Sequence, residues 1–175
     1  MVMKVRAAKI SDAKAICALI NYYAEHDKML FRSLAEIYEN LQTFLVAERE
    51  QAVVGCCALE IIWSDLAEIK SLAVGAKERG RGAGTALIEA ALEQAARLGV
   101  PRVFALTLEP GFFERAGFRV IDKEGLPMKV WSDCARCPKQ EQCDEIAVIK
   151  DLGGGRRRGG RQGSLFTRTR DRAEP

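Results

Sequence analysis

Apolar positions along the chain recur with periods that change several times, and each change marks an element. The run at 2–7 predicts a first strand. Ser11 and Asp12 then stand ahead of a helical pattern whose inner face is Ile16, Cys17, Ile20 and Tyr23, so they are expected to cap a helix ending near residue 23. Ser33-Leu-Ala-Glu36 has the spacing of a capping box and predicts a second helix through about residue 41. Apolar runs at 43–48 and 52–63 flank the polar Arg49-Glu-Gln51 and predict a hairpin. The run 66–74 predicts another strand. Ile88, Ala91, Leu92, Ala95 and Leu98 then recur on one side of a long helix, with Gly99 and Pro101 as its stop. Beyond it the pattern predicts a strand at 102–108, a short helix at 110–116, a strand at 118–121 and a last strand at 145–152. No internal repeat is visible. The order is that of an α/β domain, with mostly antiparallel strands first and a strand–helix–strand unit after them.

Composition narrows this picture. At 175 residues the chain suits one domain with a proper core. No apolar stretch approaches the length of a membrane span, and no apolar h-region follows the N-terminus, so a cytoplasmic protein away from the membrane is expected. The formal charge of +3 is unevenly spread. From Gly153 onward there are seven Arg and two acidic residues, so residues 1–152 carry a net −2. The body is therefore not basic, and no specific nucleic-acid partner is expected. Residues 153–175 are Gly/Arg-rich and too poor in apolar side chains to pack; they read as a disordered, dispensable tail.

The most informative stretch lies between the 66–74 run and the long helix. Arg79-Gly-Arg-Gly-Ala-Gly84 and Thr85 sit where a strand feeds a helix. Amides at a helix N-terminus lack intrahelical partners, the helix dipole favours an anion there, and glycine lets a ligand approach the backbone. The stretch reads as a phosphate cradle. It is not a Walker A loop, because no Lys follows the glycines. It is not a dinucleotide fingerprint either, because the third required glycine position is Thr85. It does fit Arg/Gln-x-x-Gly-x-Gly/Ala.

That pattern, after a strand ending Leu72-Ala-Val74, resembles the coenzyme A loop of the GNAT acyltransferase superfamily. The resemblance covers residues 4–152. It implies an α/β GNAT fold: a mixed, mostly antiparallel sheet with flanking helices and a splayed central strand pair. In that fold the pantetheine arm of acetyl-CoA lies in the splay and bonds backbone groups that correspond here to Leu72, Ala73 and Val74. The pyrophosphate lies on the amides of Arg79, Gly80, Arg81, Gly82, Ala83 and Gly84, with Thr85 at the helix start. Four further stretches are similar to the short, stand-alone N-acetylglutamate synthases, which open arginine biosynthesis: Met29-Leu-Phe-Arg-Ser33, Val54-Gly-Cys-Cys-Ala-Leu59, Ala67-Glu-Ile-Lys-Ser-Leu-Ala-Val74 and the Leu126–Lys139 stretch, continuing into Cys143-Asp-Glu-Ile-Ala147. The implied reaction is acetyl transfer from acetyl-CoA to the α-amine of L-glutamate.

The chemistry adds its own demands. An α-amine is mostly ammonium at neutral pH and must lose a proton before it attacks a thioester. A nearby carboxylate can accept that proton, directly or through water. Glu68 is the candidate base: it lies on the strand expected to hold the pantetheine and matches the base position of GNAT histone acetyltransferases. The alternative for Glu68 is a strand carboxylate paired with Lys70, which shares its face at period two. A dicarboxylate acceptor needs cations, and Arg suits a two-pronged grip. Arg32 is first choice, because it matches the family's Arg-Ser element; Lys70 is second and Lys129 third. Many GNAT enzymes place a proton-donating Tyr four residues before the Gly of a Gly-Phe pair. Here that position is Phe113, so no residue is assigned to protonate the leaving thiolate.

Cys134-x-x-Cys137-x5-Cys143 has the spacing of part of a structural zinc site, with Asp144 or His26 as a fourth ligand. The favoured alternative is a set of reduced thiols in a tight loop stiffened by Pro138. Cys56 and Cys57 read as small core residues. Two other functions stay open: a GNAT enzyme with another amine acceptor, and a non-catalytic acetyl-CoA sensor. Dimers are common in the superfamily, although no pattern here points to a homodimer.

Overall fold

The computed structural model describes residues 3–127, 135 and 143–153. The elements run β1 (Lys4–Ala7), α1 (Ala13–Ala24), α2 (Leu34–Glu39), β2 (Phe44–Arg49), β3 (Ala52–Trp63), β4 (Leu66–Val74), α3 (Ala83–Arg97), β5 (Arg102–Thr107), α4 (Pro110–Arg115), β6 (Arg119–Ile121) and β7 (Ile146–Asp151). The strands form one sheet in the order β1-β2-β3-β4-β5-β7-β6. Its neighbours pair antiparallel except β4 and β5, which pair parallel. The expected α/β outline and mixed sheet are those observed.

Both faces of the sheet are covered. On one, α3 buries Leu87, Ile88, Ala91 and Ala95 against Leu45, Cys57, Leu59, Ile69 and Val103. On the other, α1 and α2 bury Ile16, Ile20, Tyr23 and Ile37 against Phe44, Val46, Cys56 and Ala58. Burying an aliphatic side chain of this size contributes about 1.5–3 kcal/mol, so these two layers dominate stability. A third cluster, Ile62, Leu66, Phe104, Leu126 and Ile149, closes the end near the β3–β4 turn.

Several expectations shift. Asp12 does not cap α1. It closes a 3-10 turn over Ile10–Asp12 by accepting the Lys9 N–H at 2.7 Å, and Arg6 donates to both of its oxygens. The second helix does form on its capping box, with the Ser33 N–H donating to Glu36 at 2.8 Å and the Glu36 N–H to Ser33 at 3.2 Å. It stops at Glu39, because Asn40 leaves helical geometry and a 3-10 turn takes Leu41–Thr43. Leu98 is 59% exposed; Leu87, beside Ile88, takes a place on the buried stripe of α3 instead.

Two features of β4 shape the centre of the molecule. The β4–β5 pairing is confined to Ala67↔Val103 and Glu68↔Phe104, so beyond Glu68 the two strands part. This is the expected splay. Near its middle, Ser71 takes φ 53°, and Cys56↔Ala73 is followed by Ala58↔Lys70. Two residues of β4 there oppose one of β3, which defines a bulge. The bulge resets the alternation. Ala73 packs on the α1–α2 face with Cys56 and Ala58, while Leu72 and Val74 pack toward α3.

Candidate functional site

The parted edge of β4 leads into the glycine loop. Gly75 donates its N–H to the Val54 carbonyl on β3 at 2.9 Å. In a trans peptide the preceding carbonyl points the opposite way, so the Val74 C=O faces away from β3. Leu72 and Val74 are half-buried and Ala73 is buried. The loop turns on Gly80 (φ 73°) and Gly82 (φ 87°), both in left-handed geometry with open space where a Cβ would be. Non-glycine residues pay about 1–2 kcal/mol there, which explains the glycines. Gly84 has another reason. A Cβ on it would stand 2.9 Å from Phe112 Cζ, so any other residue would have to push the Phe112 ring aside.

The first bond of the α3 ladder runs from the Ala86 N–H to the Gly82 carbonyl. The amides of Ala83, Gly84 and Thr85 lie ahead of it, at the positive end of a 15-residue helix. Arg79 and Arg81 flank them, both exposed. Glu78, which would repel a phosphate, lies 3.3 Å from Arg49 and 3.5 Å from Arg81. The loop thus offers amides, a helix dipole and two guanidiniums, with the neighbouring Glu78 balanced. These groups fit the diphosphate of CoA.

On the α1–α2 face, Arg32, Glu36, Phe44, Glu60, Lys70 and Ser71 line one small open pocket. Arg32 arrives on the segment between α1 and α2. Its main chain is held by Asn21, which donates to the Arg32 carbonyl at 2.9 Å and accepts the Arg32 N–H at 3.0 Å. Its guanidinium lies 3.8 Å from Glu36. Lys70 lies 2.5 Å from Glu60. The structure therefore brings Arg32 and Lys70 into one site although 38 positions separate them in the chain. Glu68 is 8% exposed and sits directly across from Glu60, on the face that carries Lys70. It is thus the carboxylate of β4 next to both the pocket and the splay. Lys129, Cys134 and Cys137 lie outside the described residues. Cys143 is exposed, 3.3 Å from Lys123 Nζ, and no group of three or more metal-ligating side chains occurs among the described residues. Phe113 is buried against Phe118 and Phe112, a core ring with no proton to give.

A model of the acetyltransferase (GNAT) family matches residues 12–118, a span that holds the splayed strand, the loop, α3 and the Gly117-Phe pair together. This chain belongs to that family. The acetyltransferase therefore moves an acetyl group from acetyl-CoA to an amine. It is 45% identical over 148 residues to an uncharacterized N-acetyltransferase of Chlorobaculum tepidum, covering 85% of this chain and 96% of that one. It is 40% identical over 135 residues to an amino-acid acetyltransferase of Mycobacterium tuberculosis, covering 75% and 77%. Among solved structures it is similar to N-acetylglutamate synthase from Neisseria gonorrhoeae, complexed with coenzyme A and N-acetyl-glutamate. There the TM-score is 0.79 and the identity 26%, over 87% of this chain and 36% of that one.

Sequence reasoning missed four contributors. Tyr23 was legible only as an inner-face residue, yet its hydroxyl bonds Val74 and Arg79. Asn21 fixes Arg32, Glu60 pairs with Lys70, and Ser71 carries the bulge. No local signal marks any of them. A polar residue on a helix flank and a serine within a strand are ordinary.

Proposed function

We propose that this acetyltransferase acetylates the α-amine of L-glutamate, releasing N-acetyl-L-glutamate and CoA, the opening step of arginine biosynthesis. The observation that carries this reading is the convergence of Arg32 and Lys70 on one pocket beside Glu68. The names of the relatives support it. The backbone of Leu72, Ala73 and Val74 receives the pantetheine arm in the parted edge of β4, and residues 79–85 receive the diphosphate. Glu68 takes the ammonium proton, directly or through one water. The amine nitrogen then bonds to the thioester carbon, and collapse of that adduct breaks the carbon–sulfur bond. The thiolate leaves as the anion or takes a proton from water or from the attacking amine.

Each cation already has a carboxylate neighbour. The Arg32–Glu36 contact, at 3.8 Å, is far looser than the Lys70–Glu60 contact at 2.5 Å. A substrate carboxylate therefore displaces Glu36 from Arg32 at less expense, which makes Arg32 the main grip. A second reading rests on the same pocket. With both ion pairs closed it is charge-balanced and suits another amino acid or a cationic amine.

The test is CoA release from acetyl-CoA across a panel of free amino acids and polyamines, with wild type and Arg32→Ala. Losing a charge-assisted bond of about 1.5–3 kcal/mol raises the glutamate KM roughly 10- to 150-fold. Turnover of glutamate lost in the variant is the expected result. Turnover of a polyamine or a neutral amino acid in preference to glutamate selects the second reading.

A further inference from the structure

Tyr23 lies in the last turn of α1 and is only 7% exposed. Its ring packs in the α1–α2 core, where phenylalanine would fill the same space, so packing does not account for the hydroxyl. That hydroxyl donates to the Val74 carbonyl at 2.5 Å and accepts from Arg79 Nε at 3.2 Å. The Arg79 guanidinium also lies over the Tyr23 ring, 5.2 Å from its centroid, within cation–π range. One side chain thus ties the end of the parted strand to the first arginine of the glycine loop. Two positions earlier, Asn21 holds both main-chain groups of Arg32. A single turn of α1 grips the loop on one side and the acceptor pocket on the other.

We propose that Tyr23 is a positioning residue for acetyl-CoA. It holds the Arg79 guanidinium and the Val74 peptide in the geometry that receives the diphosphate and the pantetheine arm. An exposed arginine gives up rotamer freedom when it grips an anion. Bonding Nε and stacking the guanidinium face removes part of that loss in advance. The Nη groups take no part in this contact, so they can meet a phosphate while Tyr23 keeps hold. Arg81 has no such hold: its contact to Glu78, at 3.5 Å on the exposed side, is made by Nη1, one of the groups a phosphate would take. The proposal rests on residues 79–85 being the diphosphate cradle.

The experiment measures CoA binding by calorimetry and acetyl-CoA kinetics for Tyr23→Phe, Arg79→Lys, Arg79→Ala, Arg81→Ala and the Tyr23→Phe/Arg79→Ala double variant. Tyr23→Phe should raise the CoA Kd and the acetyl-CoA KM roughly three- to tenfold and leave kcat within about twofold, the signature of lost binding rather than lost chemistry. Arg79→Lys should do the same, because lysine keeps the charge but has no Nε bond. The double variant should bind no more weakly than Arg79→Ala, since Tyr23 acts through Arg79. Wild-type CoA binding in Tyr23→Phe, or full additivity in the double variant, overturns the role of Tyr23. Should Tyr23→Phe fail to fold, wild-type binding in Arg79→Lys overturns it instead. If Arg79→Ala and Arg81→Ala both bind CoA as wild type, the cradle reading itself is lost. That outcome is distinct from weak binding in Arg79→Ala beside normal binding in Tyr23→Phe.

Discussion

Replacing Glu68 by Gln keeps the shape of the side chain and removes its ability to take a proton. Glu68 is 8% exposed in the part of β4 that still pairs with β5, so the substitution disturbs little packing. Loss of a positioned general base typically lowers rate about 10²- to 10⁴-fold. Where in that range the variant falls depends on what else can accept the proton. Glu60 is the cross-strand partner of Glu68, and directly opposed residues hold their Cβ atoms about 4.5–5.5 Å apart. Glu60 is therefore the carboxylate best placed to substitute for Glu68, although Lys70 holds it. The expected loss for Glu68→Gln is about 10²-fold in kcat, or roughly 2.7 kcal/mol of barrier, with substrate KM values little changed. Glu68→Gln/Glu60→Gln should lose at least about tenfold more. The assay is steady-state CoA release against pH. As pH approaches the pKa of the free amine, the acceptor sheds its proton unaided, so the ratio of wild type to Glu68→Gln should shrink. A Glu68→Gln variant that keeps more than about a third of wild-type kcat, or a ratio constant across pH, refutes Glu68 as the base.

Other consequences follow from elements away from that carboxylate. Arg6 bonds both Asp12 and Glu48, and the guanidinium holds the Asp12 carboxyl below its usual range of 3.8, with the Lys9 amide adding to the effect. With the folded value below the unfolded one, the unfolded chain binds more protons in that window. The stabilisation is therefore present above about pH 4 and is lost as pH falls through the folded value. Asp12→Asn should lower Tm at pH 7 by an amount worth about 1–3 kcal/mol and should flatten the acid limb of a Tm–pH curve. Burial pushes the Cys56 thiol up to about 12 and raises Cys57 as well, so both should resist alkylation at pH 8 in the folded protein while the exposed Cys143 reacts. Peptide mapping after brief iodoacetamide treatment reads this directly. Gly82→Ala meets no atom within 4 Å but must keep φ 87°. It should cost about 1–2 kcal/mol in thermal unfolding and weaken CoA binding if the loop relaxes.

The sequence alone determined the elements and the glycine turn at the start of α3. Capping at Ser33, the stop at Gly99, the apolar runs of β2 and β3 about a polar turn and the glycine loop all depend on residues within a few positions of one another, and these local signals survived into the structure. The burial of Cys56 and Cys57 was legible for the same reason. Where two local demands competed, the simpler reading failed: Asp12 reads as a helix cap, but Arg6, six positions back, and the Lys9 amide claim its oxygens. What only the tertiary structure decided are relations between distant positions. The pairing of β4 with β5 for two residues and no further, the bulge at Ser71, the Lys70–Glu60 ion pair and the Tyr23 bonds to positions 51 and 56 residues away are set by sheet register and layer packing. A period-two or period-3.6 pattern says which face a side chain takes; it carries no information on which strand lies opposite or where two strands part. The site depends on that second kind of information, because Glu68, Arg32, Lys70 and the glycine loop are related to one another only by the assembled sheet.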